Sequence, residues 1–114
     1  MDDCLFCKII KGEIPSQKIF ENDKVYAFKD LYPQAKEHYL FISKKHTKNA
    51  NEMSSQDPSQ IADIFEAIRD FTQNNSLEKD GFRIVTNINE HGGQTVFHTH
   101  FHVLGGEQLK NFGA

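Results

Sequence analysis

The period of apolar and polar positions changes several times along the chain, and each change marks a structural element. "CLFCKIIKGEI" carries Leu5, Phe6, Ile9 and Ile10 at helical spacing, and Gly12 and Pro15 stop the run. A short N-terminal helix is predicted there. "KIFEND" and "VYAFKD" flank the polar stretch "NDK", which reads as a hairpin with a tight turn. "HYLFIS" is a third strand, with Tyr39, Phe41 and Ser43 on one side and His38, Leu40 and Ile42 on the other. In "DPSQIADIFEAIRDF" Asp57 can cap a helix, Pro58 suits its first turn and Gln60 completes a capping-box pattern. Ile61, Ile64, Phe65, Ile68 and Phe71 then form one apolar stripe. "FRIVTNI" follows as a strand, and "VFHTHFHVLGG" is the last. The order predicts an α+β fold: an antiparallel sheet of about five strands, a short N-terminal helix and one longer helix.

The last strand concentrates three of the chain's six histidines, His98, His100 and His102, at every second position. On a strand they share a face, about 6.5–7 Å apart along the chain. Phe97, Thr99, Phe101 and Val103 would then face the core. Such an imidazole row is either a metal site or a catalytic one.

Composition narrows the rest. With 114 residues, no repeat and no long linker, the chain is expected to be one domain over 1–114. Thirteen Lys plus Arg stand against sixteen Asp plus Glu, a formal charge of -3, and the only basic cluster is "SKKH". Binding along a nucleic-acid backbone is therefore not expected, although a small anionic ligand fits a local pocket. Apolar runs are short, and "MDDCLFCKII" is acidic where a signal peptide is basic. A soluble, cytoplasmic protein without membrane attachment is expected. Cys4 and Cys7 are too few for a disulfide scaffold and have the spacing of a metal or redox pair.

"HTHFHVLGG" resembles the motif of the histidine-triad (HIT) superfamily, His-φ-His-φ-His-φ-φ with φ apolar, except that Thr99 is polar. "CLFCKIIKGEIP", "VYAFKDLYPQAKEHYLFISKKH" and "NEHGGQTVFHTHFHVLGG" are similar to successive motifs of its Hint branch, the nucleoside phosphoramidases, and cover most of the chain. The resemblance implies a HIT-like fold, a homodimer, and hydrolysis of the P–N bond of purine nucleoside 5′-phosphoramidates. The chemistry suits imidazole, whose reference pKa of about 6.5 leaves it largely unprotonated near neutrality. An attack by histidine splits hydrolysis into two displacements through a nucleotidyl-imidazole, with no metal required for catalysis.

By resemblance His100 is the nucleophile, His102 serves the phosphate oxygens or the departing group, and His38 and His98 orient imidazoles and move protons. Asp30 matches the acidic residue that holds ribose hydroxyls, and Leu31 lines the base pocket beside Phe6, Ile9 and Phe28, residues that equally suit core packing. Asn87, Gly92, Gly93, Gln94 and Thr95 match the loop at sugar, phosphate or leaving group, where glycines let backbone N–H groups approach a phosphate. Two departures are the absence of any Trp, where the branch commonly ends in a Trp-bearing segment, and Ser43 in place of proline.

Cys4 and Cys7, with His46 and His98, could form a Cys₂His₂ site, an arrangement some bacterial members resemble. Four protein ligands would make zinc structural there. The alternatives to a phosphoramidase are a dinucleoside polyphosphate hydrolase and a zinc-stabilised nucleotide-binding regulatory protein.

Overall fold

The computed structural model describes residues 3–113; Met1, Asp2 and Ala114 of the expected domain lie outside the described residues. The elements run α1 (Leu5–Ile10), β1 (Lys18–Glu21), β2 (Val25–Lys29), β3 (Glu37–Ser43), α2 (Ala50–Gln56), α3 (Ser59–Gln73), α4 (Leu77–Asp80), β4 (Phe82–Val85) and β5 (His100–Gly105), with a 3-10 turn at Glu90–Gly92. All strand pairs are antiparallel, and the five strands lie in the order β1-β2-β3-β5-β4. This is the α+β architecture with an antiparallel sheet expected from the pattern, and the HIT-like fold that the resemblance implied.

The sheet has two unlike faces. Val25, Ala27, Tyr39, Phe41, Phe101 and Val103 point to one side, where α3 lays Ile64, Ala67 and Ile68 against them and Leu77 closes the end. Phe71 meets the Tyr39 ring edge-on at 5.0 Å. The other face carries Tyr26, Phe28, Leu40 and Ile42 under Phe6 and Ile9 of α1. Because α1 is only 6 residues long, it covers the β2 and β3 side and leaves room along β5. Residues paired across an antiparallel ladder share a face, so Leu40↔His102 and Ile42↔His100 put both imidazoles on the α1 side.

Local chemistry accounts for the turns. Asn22 Oδ1 accepts from the Lys24 and Val25 N–H groups, each at 2.9 Å, and closes the first hairpin. The expected capping box at the start of α3 does not form. Asp57 Oδ1 accepts instead from the Ser59 N–H at 3.1 Å, and the Gln60 side chain is buried without a hydrogen-bond partner among the described residues. A helix the pattern did not announce, α2, has the better cap: Asn49 Oδ1 accepts from the Glu52 N–H at 2.9 Å, and Glu52 reaches back to the Lys48 N–H at 2.6 Å. Its one fully buried apolar residue, Met53, left no periodicity to read.

The histidine stretch departs most from expectation. Strand β5 begins at His100, so His98 and Phe97 precede it. The Thr99 N–H donates to the Thr47 carbonyl at 2.8 Å, and its hydroxyl donates to the same oxygen at 3.1 Å. This tether explains a polar residue at an apolar motif position. It also carries the chain off the sheet before His100, leaving Phe97 half exposed rather than in the core.

The glycine pair that ends β5 is a packing requirement. A Cβ on Gly105 would lie 2.8 Å from Leu77 Cδ2 and 3.2 Å from Phe82 Cβ. Gly106 has φ +82, and a Cβ there would lie 2.9 Å from Glu37 Cγ. Gly106→Ala combines a left-handed backbone with a clash and is expected to lose about 1–3 kcal/mol, read from the urea midpoint. Gly12→Ala, at φ +79 with nothing within 4 Å, isolates the backbone share and should lose less. Equal midpoints for the two variants would mean that Glu37 simply moves aside.

Candidate active site

Strands β3 and β5 bring His38, His100 and His102 together, and the backbone assigns their protons. His38 Nδ1 accepts from the Gln34 N–H at 3.0 Å, so in the neutral ring the proton sits on Nε2. That Nε2–H donates to His102 Nδ1 at 2.9 Å and lies 3.4 Å from Asp30 Oδ2. His102 consequently keeps its own proton on Nε2. His100 Nδ1 can only donate to the His98 carbonyl, 2.7 Å away, and its Nε2 is left with a free lone pair. The three rings follow one another, His38 tilted against His102 with centroids 5.1 Å apart and His100 edge-on to His102 at 5.2 Å.

Burial keeps these rings neutral. Desolvation pushes His102 down to about 4, helped by the neighbouring His100 and His38 and opposed by Asp30. It also lowers His38 and His100, with the Asp30 charge opposing in both. Two neutral imidazoles, His100 offering a lone pair and His102 an N–H, are thus held beside the Asp30 carboxylate.

His98 stands apart from this row. Its Nε2 donates to the Ser43 carbonyl at 2.8 Å, which turns the Nδ1 lone pair toward Cys4 Sγ at 3.3 Å, Cys7 Sγ at 3.5 Å and His46 Nδ1 at 3.2 Å. Cys7 Sγ and His46 Nδ1 are 3.5 Å apart. A tetrahedral zinc with bonds of about 2.0–2.3 Å spaces its ligand atoms about 3.3–3.8 Å apart, so the donor set and spacing fit that ion. Burial, with the Cys4 thiol beside it, pushes the Cys7 thiol up to about 11, a proton that a bound cation would displace. The Cys/His cluster can therefore coordinate a metal ion, and the imidazole of His98 belongs to it rather than to the row of His100 and His102.

The residues expected around a nucleotide divide. Asp30 lies at the end of the row, with Oδ1 accepting from the Tyr32 N–H at 2.8 Å. Phe6, Ile9 and Phe28 are buried in the α1 cluster, and the Phe6 edge touches His100 at a centroid distance of 5.1 Å. They form the floor beneath the histidines. Leu31 is 82% exposed and stands clear of that floor. The Gln94 side chain is buried and engaged: Nε2 donates to the Lys48 carbonyl at 2.6 Å and the Val96 carbonyl at 3.1 Å, and Oε1 accepts from the Asn89 N–H at 2.8 Å. Gln94 is a brace for the loop. Asn89 needs one, since φ 63 and ψ -174 lie in a region that only glycine adopts readily. Gly93 is left-handed at φ +83, and Gly92, Gly93 and Thr95 are exposed on the same loop. Asn87 precedes it, half buried.

Sequence reasoning missed the backbone partners, namely the Gln34 N–H, the Ser43 carbonyl and the Thr47 carbonyl. Any residue supplies those groups, so only the polar Thr99 hinted at one of them.

Comparison with known proteins agrees with this geometry. A family model described as "Scavenger mRNA decapping enzyme C-term binding" matches residues 3–113. The structure of a histidine triad protein from Clostridium difficile superposes with a TM-score of 0.95 at 38% identity, covering 99% of this chain and 98% of that one. The chain belongs to the histidine-triad superfamily. A HIT family hydrolase from Legionella pneumophila is 42% identical with a TM-score of 0.90, over 95% of this chain and 96% of that one. The purine nucleoside phosphoramidase of Escherichia coli (strain K12) is 35% identical over 108 residues, 95% of this chain and 91% of that protein. This HIT protein has the hydrolase fold of the superfamily with the histidine cluster as its catalytic centre. Among its described residues no helix is long and apolar enough to cross a membrane.

The lowered imidazole values have a consequence for stability. An unfolded imidazole takes up its proton near pH 6.5, whereas His102 does so only near 4, so between these values the unfolded chain binds more protons. Stability is expected to be level above about pH 6.5 and to fall as the pH drops toward 4. His102→Gln should make that fall shallower. Urea midpoints measured across this window, if flat for the parent, would show that the rings titrate as in water.

Proposed function

We propose that the protein hydrolyses the P–N bond of purine nucleoside 5′-phosphoramidates through a nucleotidyl-histidine at His100. The observation that carries this reading is the 2.7 Å hydrogen bond from His100 Nδ1 to the His98 carbonyl, which leaves Nε2 unprotonated as a nucleophile. In the first displacement His100 Nε2 bonds to phosphorus while the P–N bond to the amine breaks, and the amine leaves with a proton taken from solvent water. In the second, water attacks phosphorus and gives up a proton to solvent, the Nε2–P bond breaks with its electron pair returning to Nε2, and the nucleotide departs. His102 offers its Nε2–H to a phosphoryl oxygen, because its Nδ1 is taken by His38. In this reading Asp30 accepts from ribose hydroxyls while steadying His38, and Asn87 and Thr95 serve the sugar and phosphate with their side chains, since the Gly92, Gly93 and Gln94 N–H groups are taken by the Asn89 and Glu90 carbonyls. The similarity to a purine nucleoside phosphoramidase supports the choice of substrate over a dinucleoside polyphosphate.

We further read Cys4, Cys7, His46 and His98 as a structural zinc site. With all four positions filled, the ion would staple α1 to the segment before β5 and leave no vacancy for water. The half-exposed Phe65 on α3 and the open edge of β4 are surfaces that a second copy would cover in a homodimer.

Two in-line displacements return phosphorus to its original configuration. A chiral phosphoramidate should therefore react with retention, and His100→Ala should abolish turnover while nucleotide binding persists. Inversion, or near-parental turnover in His100→Ala, would refute the covalent route. Turnover of a dinucleoside polyphosphate in preference to the phosphoramidate would move the substrate to the other branch. For the zinc site, elemental analysis of protein purified without chelators should find about one metal per chain. Cys7→Ser should lose both the metal and several degrees of melting temperature, whereas a parent free of zinc would reject the site.

A further inference from the structure

The thiol cluster and the catalytic row meet at one residue. The His98 ring lies on the thiol side, with Nδ1 3.3 Å from Cys4 Sγ and 3.2 Å from His46 Nδ1, while its Nε2 is tied to the Ser43 carbonyl at 2.8 Å. The His98 main-chain carbonyl lies on the catalytic side and receives the His100 Nδ1–H at 2.7 Å. A second connection runs in parallel. His46 is followed by Thr47, whose carbonyl holds the Thr99 N–H at 2.8 Å, so the peptide between His98 and Thr99 is held through His98 itself on one side and through the chain neighbour of His46 on the other.

We propose that the Cys4, Cys7, His46 and His98 centre, when it holds a metal ion, positions the His98 carbonyl and through it the nucleophilic ring of His100. His98 is then a positioning residue, and metal occupancy controls turnover. The proposal rests on the zinc reading of those four side chains. The physical link is the acceptor: if the carbonyl moves, the His100 Nδ1–H loses its partner, and the tautomer with the proton on Nε2, which has no lone pair for phosphorus, gains population. Cys4 and His46 line a surface groove with Leu5, Lys48, Val96 and Phe97. Thr95 of the loop before β5 lines the same groove, and an ion can enter or leave there without passing through the catalytic row.

The test uses the full chain with isotope-labelled histidine in three forms: zinc-loaded, stripped with a chelator, and exchanged with cadmium, whose longer bonds to sulfur displace the ligands while keeping the cluster closed. Nitrogen NMR reads the His100 tautomer, and steady-state kinetics with an adenosine phosphoramidate reads kcat and KM. Stripping the metal, or the Cys4→Ser substitution, should move the His100 ring nitrogens away from a pure Nδ1–H form. It should also lower kcat by about 10–100-fold with KM unchanged. A staple with no such role would lower the melting temperature and leave those signals where they were in the folded fraction. If the stripped protein unfolds, the cadmium form decides: displaced His100 signals support the coupling, and signals identical to those of the zinc form overturn it. Bound metal with unchanged His100 signals in every form overturns the coupling and leaves the zinc reading standing. Absence of zinc and of any cadmium resonance overturns both.

Discussion

The register between β3 and β5 is the constraint on which the molecule depends. Leu40 faces His102 and Ile42 faces His100, while Tyr39, Phe41, Phe101 and Val103 point the other way into the α3 layer. A slip by one residue would turn both histidines into that apolar layer and bring Phe101 and Val103 to the catalytic face. Burying the aromatic and branched side chains under α3 therefore specifies the chemistry on the opposite side. The glycines at the end of β5 serve the same register, since Gly105 lies against Leu77 and Phe82 and Gly106 against Glu37, where no Cβ fits without displacement.

Given that register, the backbone assigns the protons. A neutral imidazole has one donor and one acceptor, so a single backbone contact to each ring determines both of its nitrogens. The Gln34 N–H does this for His38, the Ser43 carbonyl for His98 and the His98 carbonyl for His100. Desolvation supplies the other half, because charging any of these rings in a low-dielectric setting is unfavourable. Alternating histidines thereby divide into two sites. His100 and His102 face α1 and Asp30, and His98, off the strand, faces the cysteines.

The loop between β4 and β5 shows how such a site is held still. Asn89 occupies a strained backbone conformation, and the Gln94 side chain and Asn49 engage its N–H and side chain, respectively. Buried amides with satisfied partners are rigid, and the turn beside them is closed by its own backbone, the Gly92 N–H donating to the Asn89 carbonyl at 3.2 Å and the Gly93 N–H to the Glu90 carbonyl at 3.0 Å. The strain lies beside the catalytic row, where preorganisation is useful.

Much of this was determined by the sequence alone. Alternation in "HYLFIS" and "VYAFKD" specified strands and faces, the stripe from Ile61 to Phe71 specified α3, and the histidine repeat with its neighbouring motifs pointed to the superfamily and to His100. The spacing of Cys4 and Cys7 named only a metal or redox pair, and their grouping with His46 and His98 was legible through the resemblance. Other features belonged to the tertiary structure. Thr99 binds a carbonyl 52 positions away, so the strand starts later than the alternation implied and His98 leaves the row. Gln94 and the aromatic floor of Phe6 and Phe28 occupy interior positions that a local motif does not distinguish from a binding wall. Helix α2 rests on a cap and one buried methionine rather than on periodicity. Local pattern encodes which face a side chain takes within an element, whereas the contacts that select a tautomer come from backbone groups of distant segments, which carry no signature in the residue names.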